Sequence, residues 1–129
     1  MRKAVNRSDH QPPVPTELRY EKDERILHIR FQSGEEYSLS AEYLRVHSPS
    51  AEVRGHGPGQ EVLQVGKENV AIETIEPVGN YAVRLCFDDG HDTGLYSWEE
   101  LYRLGGGQED LWQDYLDRLA AAGHRRSKG

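Results

Sequence analysis

Three histidines lie in or beside polar stretches of the sequence, where an imidazole could bind a metal or transfer a proton: His47, His56 and His91. His91 is the most suggestive because aspartates surround it in a predicted turn. Imidazole nitrogens and carboxylate oxygens together can hold a transition metal. We therefore predict a candidate iron or zinc site in which His91 joins His56 or His47 and the carboxylates of Asp89 or Asp92. The alternative is a solvated turn whose carboxylates accept backbone hydrogen bonds.

A glycine-rich stretch of seven residues separates two parts of the chain that are predicted to be ordered. Three glycines and one proline exclude regular structure here but permit a backbone path that bulkier residues could not follow. The stretch lacks the lysine and the helix start of a phosphate-binding loop. We predict a shaped partner-binding loop, and a hydrogen bond that merely orders the loop is the alternative role for its histidine. The loop residues are Arg54, Gly55, His56, Gly57, Pro58, Gly59 and Gln60.

A complete catalytic site is not evident in the sequence. It contains no Walker-type loop, no dinucleotide fingerprint, no nucleophile elbow and no paired-cysteine zinc signature. His91 and Asp92 could form a general base with its orienting carboxylate, but no nucleophile accompanies them, and Ser48 and Ser50 are merely close in sequence to His47. We therefore expect that the protein is not an enzyme.

Composition restricts the partners and the compartment. The net charge of −6 argues against nonspecific nucleic-acid binding, which needs a basic surface that releases counterions from phosphates. The apolar runs are far shorter than the roughly 20 residues that a membrane span needs, so no membrane contact is expected. A single cysteine, Cys86, fits a reducing compartment, and the basic start of the chain is followed by prolines instead of the apolar core of a secretory signal. We expect a cytoplasmic protein.

Period-two alternation predicts two β units. The first is a three-stranded meander that begins near Thr16, turns at Lys22-Asp23 and ends at Leu39, followed by a short helix that Ser40 caps. The second joins a strand over Val70–Val78, in which Val70, Ile72 and Thr74 share a face, to a strand that places Tyr81, Val83, Leu85 and Phe87 on one face. A short strand over Thr93–Tyr96 completes this unit.

Two helices are predicted at the end of the chain. Ser97 and Glu100 fit a capping box for the first, and three glycines from Gly105 end it. The second runs from Gln108 to Ala122, and its apolar stripe, which includes Trp112, is predicted to cover a sheet face.

The predicted fold class is therefore α+β: small, mainly antiparallel sheets in two β units, a short central helix and two C-terminal covering helices. We expect one domain over residues 16–122, a disordered leader over residues 1–15 and a flexible basic tail over residues 123–129.

Three stretches of the chain resemble the gamma-butyrobetaine hydroxylase N-terminal-like family: Leu44–Val53, Phe87–His91 and Ser97–Leu101. The likeness covers roughly Thr16–Leu119. It is better to the bacterial stand-alone branch of unknown function, whose members share the stretch Ser48–Gln60.

In the hydroxylase, a Cys-x-Cys-x-x-Cys motif and a later histidine form a zinc site. The resemblance places these positions on Ser48, Ser50, Val53 and His91. Neither a serine hydroxyl nor a valine side chain replaces a thiolate that holds zinc strongly, so the resemblance implies that the zinc site is lost. The hydroxylase reaction is not implied either, because its iron site would need a separate oxygenase domain.

Domains similar to this one also occur fused to Mrp-type P-loop ATPases that carry iron–sulfur clusters. The resemblance therefore implies an accessory role in metal or iron–sulfur handling, with an iron–sulfur or other metal-handling protein as the partner. A non-catalytic accessory or protein-interaction module is the leading hypothesis. Direct iron or zinc binding through His91 with His56 or His47 is the alternative, and an uncharacterised enzyme is the third.

Overall fold

A computed structural model describes residues 13–55 and 60–126, and within them the chain forms six strands and four helices. The strands are β1 (Pro15–Glu21), β2 (Ile26–Phe31), β3 (Glu36–Ser40), β4 (Ile72–Val78), β5 (Ala82–Phe87) and β6 (Gly94–Ser97). The helices are α1 (Ala41–Val46), α2 (Ala51–Arg54), α3 (Trp98–Gly106) and α4 (Gln108–Ala121). The strands form two antiparallel sheets with the orders β1-β2-β3 and β4-β5-β6. The predicted α+β fold is confirmed, including the two β units, the short central helix α1 and the covering helices α3 and α4.

The first sheet is the predicted meander. Leu27, Ile29 and Phe31 point to the core and are at most 1% exposed, as period-two alternation requires. Between them, His28 lies on the outer face, where its ring bonds the side chains of residues on both neighbouring strands. The turn between β1 and β2 spans residues 22–25, as predicted.

A bulge interrupts the second sheet between Ile72 and Thr74 of β4. Because one extra residue reverses the inside and outside positions of a strand, Thr74 is exposed and Ile75 is half-buried. The expectation that Thr74 shares the buried face of Val70 and Ile72 was therefore wrong.

The centre of the second sheet is β5, which buries Val83, Leu85 and Phe87 as predicted. Tyr81 was expected on the same face, but it precedes the strand and is 53% exposed. Strand β5 therefore begins at Ala82, one residue later than the alternation of apolar residues indicates.

Side-chain caps fix the starts of three helices. The hydroxyl of Ser40 accepts a hydrogen bond from the Tyr43 backbone N–H (3.0 Å) at α1, and that of Ser97 accepts one from Glu100 (3.1 Å) at α3. Ser50 caps α2 in the same way, accepting from the Glu52 N–H. The helix α2 was not predictable from the sequence, because a helix of four residues carries almost no periodic signal.

One apolar core joins the two sheets, α1 and α3. Two tyrosine hydroxyls reinforce it: buried Tyr43 donates to the carbonyl of Leu104 in α3 (2.6 Å), and half-buried Tyr20 of the first sheet accepts from the N–H of Ile72 in the second. A smaller cluster under α4 contains Val46, Tyr115 and Leu119. Trp112, at the boundary of the two clusters, packs against both, as the predicted covering role of α4 requires.

The contacts of the described chain extend beyond the predicted domain end. Arg126 donates two hydrogen bonds to the carboxylate of Glu42 (2.7 and 2.6 Å) and lies over the ring of Trp112. Most of the predicted leader (residues 1–12) and the last three residues of the predicted tail lie outside the described residues. None of the helices in residues 13–55 and 60–126 has the length and apolar character that crossing a membrane requires.

Candidate functional site

His91 is buried, although the sequence placed it in a polar loop; it is 5% exposed. Its Nδ1 lies 3.0 Å from a carboxylate oxygen of Glu52, and its Nε2 lies 2.9 Å from the hydroxyl of Ser48. Because a carboxylate can only accept, Nδ1 carries the proton, and in the neutral ring Nε2 accepts from Ser48. We call Ser48, Glu52 and His91 the histidine latch, since it joins the residues around α2 to the turn between β5 and β6.

The surroundings of His91 disfavour protonation of its imidazole. Burial lowers the pKa of His91, and the nearby Arg45 guanidinium lowers it further, although the Glu52 carboxylate acts in the opposite direction. A neutral ring is the form that can donate to Glu52 and accept from Ser48 at once.

The order hydroxyl, imidazole, carboxylate is that of a serine hydrolase triad, but its surroundings fit a structural role. Ser48 is 1% exposed, and its oxygen also accepts the backbone N–H of Ser50 (3.2 Å). A Cβ added to Gly94 would lie 2.6 Å from the same oxygen, so no space remains between Gly94 and the hydroxyl. Sequence proximity had associated Ser48 with His47, whereas the structure pairs it with His91, 43 residues away.

Asp89 supports the turn that carries His91. One carboxylate oxygen accepts from Arg45 (2.9 Å) and Lys67 (2.7 Å), and the other accepts the N–H of His91 (3.1 Å). Burial alone would raise the pKa of Asp89, but the bonds from Lys67, the His91 N–H and Arg45 outweigh it and hold the pKa at about 2. The predicted metal ligand is thus the acceptor of a charged hydrogen-bond network.

His47 lies elsewhere in the fold, between the rings of Tyr43 and Tyr115. Its Nδ1 donates to the Tyr43 carbonyl (3.0 Å). Its Nε2 is buried and has no hydrogen-bond partner among the described residues. Burial lowers the pKa of His47, which favours the neutral ring.

The described ranges contain no group of three or more His, Cys, Asp or Glu residues that could hold a metal ion. His91 and Asp89 are bonded as described above, and Asp92 is exposed with a long ion pair to Arg84 (3.8 Å). His56 lies outside the described residues. The metal site with His56 or His47 therefore stays a prediction, without a ligand cluster to support it.

A cleft of about 710 Å³ opens beside the predicted partner-binding loop. Apolar side chains from α1, α2, α4 and the segment after the loop line it: Val46, Val53, Val62, Leu63 and Tyr115. Its charged lining residues are Arg54, Glu61, Glu100, Arg103 and Arg118, and His47, Ser48, Gly55 and Gln64 complete it. This cleft was not predictable from the sequence, because its walls come from five separate parts of the chain.

Gly55 shapes the rim of the cleft. Its φ of 73° is in the left-handed region, and an added Cβ would lie 2.0 Å from the carbonyl oxygen of Gln60. Only glycine therefore lets the two ends of the loop approach each other. Arg54, Gly55 and Gln60 are described, whereas the predicted loop residues His56, Gly57, Pro58 and Gly59 are not.

A family model described as gamma-butyrobetaine hydroxylase-like, N-terminal, matches residues 18–102. The chain belongs to this family. The match includes all three residues of the histidine latch and confirms the resemblance that the sequence indicated. No curated protein matches this member of the family.

Solved structures of similar proteins support the family fold. Two solution NMR structures are similar to this gamma-butyrobetaine hydroxylase-like domain. The first is 55% identical, with a TM-score of 0.78, and the match covers 91% of this chain and 87% of the other. The second is 47% identical, with a TM-score of 0.79, and the match covers 92% of this chain and 94% of the other. A crystal structure of a protein with unknown function from Acidithiobacillus ferrooxidans, in the DUF971 family, is 37% identical over 70% of this chain and 91% of its own, with a TM-score of 0.60.

The residues at the zinc positions of the resembled hydroxylase do not fit zinc here. Ser48 bonds His91 directly, the hydroxyl of Ser50 is hydrogen bonded to that of Thr93 (2.7 Å), and Val53 is 6% exposed and has no side-chain atom that could bind a metal. Tetrahedral zinc sites depend on thiolate and imidazole ligands, and only the imidazole is present. The sequence showed the loss of the thiolates, but not that Glu52 and Ser48 would occupy both nitrogens of the remaining histidine.

Proposed function

We propose that this domain is a non-catalytic accessory module that binds an extended segment of a partner protein in the cleft beside Gly55. The observation that carries the proposal is the cleft itself, which combines an apolar lining with charged residues at the predicted partner-binding loop. Binding sites of this size typically pair an apolar surface with a few polar groups that set orientation.

The rim of the cleft supports a protein ligand over a fully enclosed small molecule. Val62 lines the cleft and is 52% exposed, so part of its apolar surface faces solvent. Exposed apolar area next to charged residues is typical of surfaces that bind other proteins. A peptide that covers Val62 would bury this area and continue into the cleft.

The walls are held in place before any ligand binds. The Val62 N–H donates to the carbonyl of Val53 (2.8 Å), and the Tyr115 hydroxyl donates to the carbonyl of Gln64 (2.6 Å). The Gln64 side chain accepts from Arg45 (2.9 Å). Because the segment is already ordered, a ligand would lose less free energy in fixing it, which favours affinity.

The family resemblance directs the choice of partner. Domains similar to this one occur together with iron–sulfur-carrying ATPases, so we propose an iron–sulfur or other metal-handling protein as the partner, in the cytoplasm. Ser48 borders the cleft but is only 1% exposed, which supports a non-catalytic role, because a nucleophile must reach its substrate.

The proposal can be tested by selecting short peptides from a random library on the whole protein and titrating them into labelled protein by NMR. We expect selected peptides to perturb the amides of cleft residues, with Val62→Glu weakening binding at least about tenfold. Val65→Glu is the matched control, because Val65 is 41% exposed but does not line the cleft.

Three results would refute the proposal. Either no selected peptide perturbs the cleft amides, or the perturbed amides lie on the outer face of the first sheet, around His28. Equal binding by the Val62 and Val65 variants would lead to the same conclusion.

A further inference from the structure

Two arginines on the charged side of the cleft share one carboxylate. Arg54 of α2 places a terminal nitrogen 3.0 Å from one Glu100 oxygen, and Arg103 of α3 places one 2.6 Å from the other. The Glu100 side chain is 13% exposed, whereas those of Arg54 and Arg103 are 51% and 52% exposed. We call Arg54 and Arg103 the arginine pair.

Glu100 fixes the position of the pair. It lies in the first turn of α3, where its N–H donates to the capping hydroxyl of Ser97. Its carboxylate is thus on a rigid element and orients two long side chains that would otherwise sample many rotamers. Holding the guanidiniums in advance lowers the entropy that a ligand would lose in ordering them.

The arginine pair carries more positive charge than the carboxylate of Glu100 neutralises. Two guanidiniums against one carboxylate give one net positive charge, and each contact uses one terminal nitrogen of a group with five N–H donors. Across the whole lining, three arginines (Arg54, Arg103 and Arg118) face two glutamates (Glu61 and Glu100), but Arg118 is already paired with Asp114 (3.2 Å), which is not a lining residue. The excess of positive charge is therefore confined to the arginine pair, in a chain whose net charge is −6.

We propose that the peptide segment bound in the cleft is acidic, and that the arginine pair binds a carboxylate of the partner next to the apolar side chains that contact Val53 and Val62. This inference rests on the proposed function. Guanidinium groups form charge-assisted, often bidentate hydrogen bonds with carboxylates, and two of them on one side of a cleft select for this group. The carboxylate sets the register of the peptide, and the apolar wall contributes buried area.

The test compares a selected peptide that contains Glu or Asp with the same peptide in which that residue is the corresponding amide. For the unmodified protein, we expect the acidic peptide to bind at least about tenfold more tightly, and this preference to decrease as salt is added. In the double variant Arg54→Gln/Arg103→Gln, the two peptides should bind equally. Arg19→Gln is the matched control, because Arg19 is 59% exposed on the first sheet and does not line the cleft.

Each outcome separates this inference from the proposed function. Peptides that perturb the cleft amides and are sensitive to Val62→Glu, but show no preference for the acidic form, would leave the docking site intact and overturn the acidic partner. A preference that persists in the double variant would overturn it as well. If free succinate perturbs the same amides as tightly as the acidic peptide, the ligand is a small acid and the inference fails.

The variants must keep the fold for this comparison to be valid. The amide spectrum of each variant should match that of the unmodified protein outside α2 and α3. Arg103→Lys provides a second check, since it keeps the positive charge but removes the planar guanidinium that can form two parallel hydrogen bonds with a carboxylate. We expect this variant to retain part of the preference for the acidic peptide. Complete retention would argue against bidentate binding.

Discussion

Replacing Asp89 with Asn should test the network that holds the His91 turn. The carboxylate is 22% exposed and accepts bonds from Arg45, Lys67 and the His91 N–H. Holding its pKa at about 2 instead of 3.8 corresponds to roughly 2 kcal/mol of stabilisation at neutral pH. We expect Asp89→Asn to lower the free energy of unfolding by about that amount, or the Tm by about 10 °C for a domain of this size.

The sign of the pH dependence follows from the lowered pKa. Because the carboxyl of the folded protein stays ionised where that of the unfolded chain is protonated, the stabilisation is complete above pH 3.8 and is lost as the pH falls towards about 2. Urea unfolding at neutral pH gives the free energy, and an NMR titration of the Asp89 carboxyl carbon gives its pKa.

Asp92→Asn is the matched control, because the Asp92 side chain is 59% exposed and its carboxylate forms, within the described part of the chain, only a long ion pair with Arg84. Surface pairs of this kind contribute little, so the control should change stability by less than about 0.5 kcal/mol. An Asp89 carboxyl that titrates near its ordinary value, or equal stabilities of the Asp89 and Asp92 variants, would refute the reasoning.

Three further predictions concern stability. Gly105→Ala should destabilise the protein by roughly 2 kcal/mol in urea unfolding, because the new Cβ would lie 2.2 Å from the Tyr37 ring. Gly106→Ala is the control and should be neutral or stabilising, because its Cβ would lie 3.7 Å from the Tyr37 hydroxyl. Equal effects of the two substitutions on stability would contradict this packing. Tyr96→Phe should cost about 1–2 kcal/mol by thermal unfolding, since its buried hydroxyl donates to a main-chain carbonyl of α1 (2.5 Å); an unchanged Tm would argue against that bond. Because the pKa of His91 is lowered below 6.5, the unfolded chain binds more protons than the folded protein, and the free energy of unfolding should fall as the pH drops through 6.5. In His91→Gln this decrease with pH should be less steep. Equal pH slopes of the two proteins in urea unfolding would show that His91 is not the group responsible.

The elements with strong local signals were predictable from the sequence. Alternation located β2 and β5, and the capping serines Ser40 and Ser97 located the starts of α1 and α3, because these patterns act within a few residues. The bulge in β4 was not predictable, since the side chains around Thr74 would fit either face and the register is set by pairing with β5.

The candidate site was predictable only in part. Local acidity and the family position both indicated His91, but its partners Ser48 and Glu52 are 43 and 39 residues away, and a single sequence contains no information that links them. Asp89 was identified for its carboxylate, but its role depends on Arg45 and Lys67, which only the tertiary fold brings close. The cleft was not predictable from the sequence, because its lining residues come from separate parts of the chain and no local pattern marks them.

The histidine latch also bears on how this domain tolerates its chemical surroundings. In a site built from cysteine thiolates, oxidants and competing metal ions attack the groups that hold the fold together. Here the hydroxyl of Ser48 and the carboxylate of Glu52 hold the junction through hydrogen bonds to His91, which do not depend on a metal ion, and neither group oxidises under biological conditions. The single cysteine, Cys86, lies on β5 away from this junction and takes no part in the latch. Peroxide or a shift in the supply of zinc should therefore leave the connection between α2 and the β5–β6 turn intact.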